Sequence, residues 1–347
     1  MAYTTINKST DYFNTKLYTG NGSTQSITGV GFTQDFTWIK SRSTAQNHYA
    51  FDTVRGAQKQ IYPSTSSAED TGQSNGLNAF TSDGFNLGTE VGVNGNGATF
   101  ASWNWKANGT GSANTDGTIN STVSASATSG FSIVSYTGNG TAGATIGHGL
   151  GVKPAMIIVK KLNGAYNWGI YHKNIGATKL LAFTDAIPDD DASYWNDVEP
   201  TSSVFNLGSS ALTNGSGSTM IAYCFSEVKG YSKFSSYTGN GNADGTFVYT
   251  GFKPAWVMIK NITTANSYDD WMIFDNKRNS NNPMGFKLYP SNSASESNDI
   301  DLIDFTSNGF KQRSANSNQN GSGNSFIYMA IAEAPLVGTN GVTAKAR

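Results

Sequence analysis

Three histidines, one cysteine and a few carboxylate clusters hold most of the reactive chemistry available to this 347-residue chain. His48, His148 and His172 lie far apart, and Cys224 is the sole thiol. A disulfide framework and a cysteine-based zinc site are thereby excluded. Histidine ligation would need distant segments to converge, and the Gly-x-Ser-x-Gly string at Gly72–Gly76 (GQSNG) is followed by LNAF and lacks the helix that a nucleophile elbow requires. Gly138–Gly143 reads GNGTAG, the letters of a dinucleotide fingerprint. That chemistry needs a helix next, whose N-terminus receives a pyrophosphate. ATIGHGL follows instead, so the segment reads as a turn. Acidic residues cluster at Asp189-Asp190-Asp191, at Asp269-Asp270 and at Asp299, Asp301 and Asp304. Paired carboxylates could serve glycoside hydrolysis, and loop oxygens could hold calcium. None of the clusters recurs through the chain, so no catalytic residue and no enzyme is expected. No cofactor is expected other than calcium, for which Asp189, Asp190 and Asp191 are the candidate ligands. Trp195 and Tyr194, in the loop sequence DASYWNDVEP, are the candidates for stacking on a sugar ring. Trp103 and Trp256 fall inside strand patterns and read as core.

The elements that must position these residues come in three copies. Tyr-Thr-Gly-Asn-Gly occurs at Tyr18–Gly22, Tyr136–Gly140 and Tyr237–Gly241. After each copy comes a ten-residue block: GFTQDFTWIK (Gly31–Lys40), GVKPAMIIVK (Gly151–Lys160) and GFKPAWVMIK (Gly251–Lys260). Aromatic-ended blocks follow at His48–Gly56, Trp168–Gly176 and Trp271–Asn279, then DGFNLG, SVFNLG and NGFKQR. Apolar runs close each copy at Phe100–Ala107, Met220–Glu227 and Phe326–Glu333. Asp52 with Arg55 and Asp275 with Arg278 stand at one aligned position, and a turn-closing ion pair is the expected role. The middle copy has His172 and Ile175 there and must close its turn otherwise.

A period of this length can bury its own core, so three tandem domains are expected rather than a propeller or solenoid. Asn-Gly after a β-rich approach predicts a strand and a type I′ hairpin turn. The strand of each ten-residue block is apolar on both faces, with Met156 and Ile158 on one and Ile157 and Val159 on the other. Such a strand is usually covered on both faces, here by its own core and by a neighbouring domain or chain. The closing run alternates, with Ile221, Tyr223 and Phe225 on one face and Cys224 on the other. About seven strands per copy and no amphipathic helix predict an all-β chain of three tandem antiparallel β-sandwich domains. The expected divisions are 1–107, a Gly/Ser/Thr/Asn linker at 108–130 in which Ile119 and Val123 leave room for a short edge strand, 131–230, 231–334 and a tail at 335–347. The linker predicts a loosely attached first domain, and the short join near 228–236 a close second and third.

Composition narrows the partners. With 23 basic and 24 acidic residues the chain lacks the positive excess that phosphate backbones require, so no nucleic acid is expected. The start lacks an apolar leader and no stretch is long enough to span a bilayer, so neither a signal peptide nor membrane insertion is expected.

The combination DYFNTKLYTGNGSTQSITGVGF, ASWNWKANGTG with NTDGTI, SGFSIVSYTGNGTAGATIGHGLGVKPAMIIVKK and GYSKFSSYTGNG with FVYTGFKPAWVMIK resembles virion structural proteins of marine bacteriophages. The resemblance covers nearly the whole chain. It implies concanavalin-like or jelly-roll sandwiches in a virion component assembled in the host cytoplasm, tail-fibre-like or of undefined role. It implies other virion proteins as partners, capsid or tail subunits, together with self-association. Host-surface glycan adhesion on a fibre or spike is the first expectation. Capsid decoration is the alternative, and polysaccharide depolymerisation is less favoured. The family supplies no site residues to carry over.

Overall fold

The computed structural model describes residues 4–337 apart from Tyr268, so the predicted tail lies outside the described residues from 338 onward. Repeat 1 runs β1 (Phe13–Thr19), β2 (Gln25–Thr28), β3 (Phe36–Ser41), β4 (His48–Asp52), β5 (Leu77–Thr81), β6 (Gly84–Leu87), α1 (Val91–Asn94) and β7 (Thr99–Trp105). Two strands follow, β8 (Ser112–Asn114) and β9 (Ser121–Ser126). Repeat 2 runs β10 (Phe131–Thr137), β11 (Ala144–Gly147), β12 (Met156–Lys161), β13 (Gly169–His172), β14 (Lys179–Leu180), β15 (Asp189–Asp190), β16 (Val204–Leu207), α2 (Ala211–Asn214) and β17 (Thr219–Phe225). Repeat 3 runs β18 (Ser232–Thr238), β19 (Phe247–Tyr249), β20 (Phe252–Asn261), β21 (Met272–Asp275), β22 (Met284–Lys287), β23 (Ser297–Thr306), β24 (Gly309–Gln312), α3 (Ser317–Asn320) and β25 (Ser325–Pro335).

The chain is all-β and its ladders are antiparallel, as the alternation of apolar residues requires. Each repeat builds one principal sheet of the same order: β1-β7-β3-β4, β10-β17-β12-β13 and β18-β25-β20-β21. A smaller sheet covers one face of each: β2-β6-β5, β11-β16 and β19-β24-β23-β22. Pro154 precedes β12, while Pro254 sits in β20 at a break in register, the places where a missing N–H is tolerated.

The two parities of the doubly apolar strands go to two different cores. Ile157, Val159, Met220, Ala222 and Cys224 point into repeat 2's own sandwich. Val257, Ile259, Phe326 and Ala330 do the same in repeat 3, and Ile39 and Phe100 in repeat 1. The other parity forms one shared core, with Trp38, Trp103 and Trp105 meeting Ile158, Tyr223 and Phe225 and then Trp256, Met258 and Met329. The neighbour that covers the second face is thus another repeat of the same chain.

Two local expectations are corrected. Residues 108–130 are not a bare linker. β9 pairs with β10 from Ser121↔Tyr136 to Ser126↔Phe131, and β8 pairs with β9, which extends repeat 2's principal sheet to six strands. Small side chains let this segment lie flat along the sheet, with Val123 buried. The YTGNG turn is not a type I′ hairpin. Only its second glycine has positive φ (68°, 71° and 66° at Gly22, Gly140 and Gly241), because the chain crosses here from one sheet to the other and does not pair with itself. Each motif asparagine forms an Asx turn instead, as when Asn21 Oδ1 accepts from Ser23 N at 2.8 Å.

The motif clasps the one-turn helices. Tyr18, Tyr136 and Tyr237 hydroxyls donate to the carbonyls of Val93, Thr213 and Gln319. The fully buried Asn94, Asn214 and Asn320 accept from the backbone N–H of Asn21, Asn139 and Asn240 at 3.0, 2.9 and 3.1 Å. A Cβ at Gly20 would lie 2.3 Å from the Gly95 carbonyl oxygen, so the first glycine is required by close approach.

Candidate functional site

The residues singled out for binding do not converge. Trp195 is 2% exposed and packs on Tyr171 with ring centroids 6.1 Å apart, inside repeat 2's core. It is therefore no exposed platform. Asn196 and Asp197 take left-handed backbone conformations (φ 57° and 54°) and turn the chain just after the indole has entered the core. Tyr194 is partly buried, and its hydroxyl donates to Asp189 Oδ2 at 2.6 Å. Asp189 and Asp190 are exposed on β15, with Asp190 3.9 Å from Lys179, while Asp191 caps Ser193 N at 2.7 Å. The three carboxylates thus serve three different partners. Among the described residues no group of three or more His, Cys, Asp or Glu is placed to hold a metal ion, so Asp189, Asp190 and Asp191 do not converge as a three-carboxylate ligand set. Cys224 is fully buried, and burial pushes its thiol up to about 12, so it is a strand residue and not a nucleophile. Gly143 leads into β11, not into a helix.

The reactive groups that do converge lie between repeats. At the join of repeats 1 and 2, the buried Asp52 binds Arg55 through Nε at 2.5 Å and accepts from the Tyr223 hydroxyl at 2.7 Å. Arg55 also reaches Glu69 at 2.8 Å. At the join of repeats 3 and 1, Asp275 binds Arg278 at 2.5 Å and accepts from the Trp103 indole N–H at 3.0 Å. Arg278 reaches Glu296 at 2.9 Å, and Glu296 also grips Arg42 of repeat 1 at 2.7 Å. The aligned carboxylate of one repeat thus receives a proton donor from the closing strand of the next.

Repeat 2 shows why its copy differs. The closing strand of repeat 3 presents Met329 where the others present Trp103 and Tyr223, and a thioether cannot donate. His172 replaces the carboxylate. Its Nδ1 accepts from Asn174 N at 3.2 Å and its Nε2 faces the Tyr328 carbonyl at 3.3 Å, which assigns the proton to Nε2. Burial lowers this imidazole to about 4, so it stays neutral, and Ile175 stands where an arginine would lack an anion. This is how the middle copy closes its turn.

Two further aligned positions repeat the cycle. Trp168 donates to the Tyr62 carbonyl of repeat 1 at 2.9 Å, and Trp271 to Ala182 of repeat 2 at 2.8 Å. Lys160 reaches Ser66 of repeat 1 at 2.9 Å, Lys260 reaches Asp185 of repeat 2 at 2.9 Å, and Lys40 reaches Ser293 of repeat 3 at 3.2 Å. The three joins form a closed ring of like contacts, the intramolecular counterpart of heterologous subunit interfaces that close. The first repeat is therefore tied to both others, against the loose attachment expected from the linker.

The lysine position recurs at the end of all three ten-residue blocks, a signal present in the sequence and left unread there. Burial lowers each of these ammonium groups to about 8; Glu296 opposes this at Lys40, and Asp269, Asp185 and Asp270 oppose it at Lys260. An unfolded lysine keeps its proton to about pH 10.4. Between about 8 and 10 the unfolded chain therefore binds more protons, and stability rises with pH. Above about pH 10 the buried tyrosines Tyr136, Tyr223 and Tyr237, raised by desolvation, act in the opposite sense. Urea unfolding should give a free energy larger at about pH 9 than at about pH 7, by on the order of 1 kcal/mol per lysine. A profile flat across that window would contradict the assignment.

Among the described residues the outer surface also offers a site of a different kind. β19 is a sheet edge, and Phe247 and Tyr249 project from it 46% and 55% exposed. Tyr249 borders an open groove of about 430 Å³ that also touches Glu227 and Lys233. An uncovered edge with adjacent aromatics is a place for another chain to add. Comparison with curated proteins and with solved structures returned no match. The family described as a domain of unknown function (DUF7483) matches residues 8–335, from just before β1 to the end of β25, and so takes in the whole ring. The chain belongs to that DUF7483 family.

Proposed function

We propose that this chain is a non-enzymatic structural protein of a bacteriophage particle, a single-chain pseudo-trimer that seats on subunits arranged about a local threefold position and cements them. The observation that carries this reading is the closed ring of three like interfaces around one sealed core. Such a ring presents three outer sheets related by the repeat, of three, two and four strands, from one gene product, and offers them to three equivalent partners at once, so that weak contacts add through avidity. The motif resemblance supports the particle as the setting. The non-enzymatic part is supported by the fate of the reactive groups: the buried Asp–Arg pairs, His172 and Cys224 all have structural roles between or within repeats. Adhesion to a host glycan is the second reading, favoured by the open groove beside Tyr249.

Mass-spectrometric inventory of purified virions is the test. The chain should be present at a fixed ratio to the major capsid or tail subunit, and its absence from assembled particles would overturn the reading. The edge strand gives a sharper version. The double variant Phe247→Asp/Tyr249→Asp should keep its melting temperature, because both side chains are exposed, and yet lose incorporation into particles. Incorporation at the normal level would remove β19 as the contact.

A further inference from the structure

The repeats treat one pair of sheet edges differently. In repeat 2, residues 112–126 cover the open sides of both sheets. β9 pairs with β10, and Ile119 forms a parallel bridge to Ile146 of β11, its N–H donating to the Thr145 carbonyl at 3.1 Å. The amides of Thr118 and Thr145 donate to each other's hydroxyls at 2.9 and 2.8 Å. Small residues make room for this cover: a Cβ on Gly147 would stand 1.8 Å from Asn114 Oδ1, and one on Gly149 2.8 Å from the Val123 side chain. In repeat 3 the same two edges, β18 and β19, end their sheets with no strand beyond them among the described residues. The amide of Phe234 on β18 turns outward and is met by a side chain, the Glu227 carboxylate at 3.0 Å. The groove of about 430 Å³ lies here, lined by Gly230, Ser232, Lys233, Tyr249 and Gly251. Ser232 and Lys233 align with Phe131 and Ser132, the β10 residues that pair with Ser126 and Ala125 of β9. The groove is thus the place that β9 fills in repeat 2.

We infer that this edge of repeat 3 receives an extended segment of another protein, which adds to β18 as β9 adds to β10. Two observations fix the occupant. First, the connection inside the chain is too short to supply it. Residues 106–130 separate β7 from β10, whereas only 226–231 separate β17 from β18, too few to run along a seven-residue strand and return beside it. Second, the edge is built for contact and not for water. Pairing to Phe85, Phe205 and Phe310 sets Ser26 and Thr28, Thr145 and Gly147, and Phe247 and Tyr249 at the same positions. Repeat 1 has an exposed polar edge there and repeat 2 a covered one, while repeat 3 alone leaves two aromatic rings 46% and 55% exposed. The β18 backbone supplies hydrogen bonds to the incoming strand, and the groove takes small side chains at alternate positions, as Val123 and Ala125 are taken in repeat 2. The fitting partner is therefore a proline-free segment that alternates small apolar and hydroxyl residues and runs antiparallel to β18. The inference rests on the β19 contact of the particle reading and names what fills it.

The test uses the full chain and, as probe, a capped peptide of residues 118–128, the segment seated on repeat 2. Calorimetry should give one site with a dissociation constant of about 0.01–1 mM. At saturation, amide hydrogen exchange should slow about tenfold along β18 and β19 and stay unchanged along β10 and β11. The same peptide with Val123→Pro and Ser124→Pro lacks two adjacent amides and should not bind. Phe247→Ala/Tyr249→Ala in the protein should weaken binding about tenfold at an unchanged melting temperature. No binding at millimolar peptide, equal binding of the proline peptide, binding that the double variant leaves intact, or slowing at β10 in place of β18 overturns the proposal. So does an edge already protected in the free chain, whether by a dimer or by residues 338–347, as their deletion would reveal. A chain found in virions that binds no peptide retires this inference alone, and a chain missing from virions that binds it retires the particle reading alone.

Discussion

Asp275→Ala should destabilise the chain by about 3–5 kcal/mol, the scale for removing one partner of a buried ion pair. The carboxylate accepts four hydrogen bonds: from Arg278 Nε at 2.5 Å, from the backbone N–H of Lys277 and Arg278 at 3.0 and 2.9 Å, and from the Trp103 indole at 3.0 Å. Alanine leaves the guanidinium buried with Glu296 as its remaining anion and leaves an indole N–H without an acceptor. The ion pair itself contributes less than this loss, because two charges had to be desolvated to form it. Adding Arg278→Met to Asp275→Ala should therefore recover part of the loss. Repeat 2 already carries a version of that solution, with neutral His172 and apolar Ile175 at the same positions. Urea denaturation of the two single variants and the double variant measures the coupling. A loss below about 1 kcal/mol for Asp275→Ala would place the pair among weak surface bridges and refute its role at the join.

The parts of this fold that were legible in the sequence are those governed by period two. The alternation in MIIVK separates Met156 and Ile158 from Ile157 and Val159, and the structure sends the first pair to the shared core and the second to repeat 2's own. That both faces are covered was legible; that the cover is a sister repeat was not, because closure of a ring depends on the angle between sheets and leaves no mark on one strand's pattern. The aspartate–arginine pairs were legible as ion pairs, but their second partners, Tyr223 and Trp103, lie more than 170 residues away in sequence. Trp195 misled because polar neighbours suggest a loop, and a loop can still aim one indole inward. The Asn-Gly turn misled for a related reason: hairpin chemistry assumes that the two strands pair, and these strands belong to different sheets. One usable signal was missed. Asn94-Gly95, Asn214-Gly215 and Asn320-Gly321, each followed two residues on by another glycine, form a further aligned motif, and their asparagines are the buried clasps of the YTGNG turns.

Trp105→Ala should cost about 3–5 kcal/mol, the range for truncating a large buried aromatic, and how the loss is distributed matters more than its size. The Trp105 ring sits 4.8 Å from Phe13 and 5.4 Å from Phe36 of its own repeat, 6.3 Å from Phe225 of repeat 2 and 5.8 Å from Trp256 of repeat 3. Its indole nitrogen has no hydrogen-bond partner among the described residues, so truncation removes packing and strands no polar group. The shared core around it holds a void of only about 10 Å³, which leaves little slack for neighbours to refill the space. If the three repeats were independent beads on a chain, the variant would lower one of several unfolding steps and leave the rest in place. The ring makes a different demand. Each principal sheet buries one face only because the other two repeats are present, so weakening the common core must lower the stability of all three together. The expected result is one cooperative urea transition, shifted to lower concentration with its slope unchanged, seen alike by tryptophan fluorescence and by circular dichroism. A transition that splits, with most of the β signal surviving at the wild-type midpoint, would mean that the repeats fold as separate units and that the ring is only an association between them.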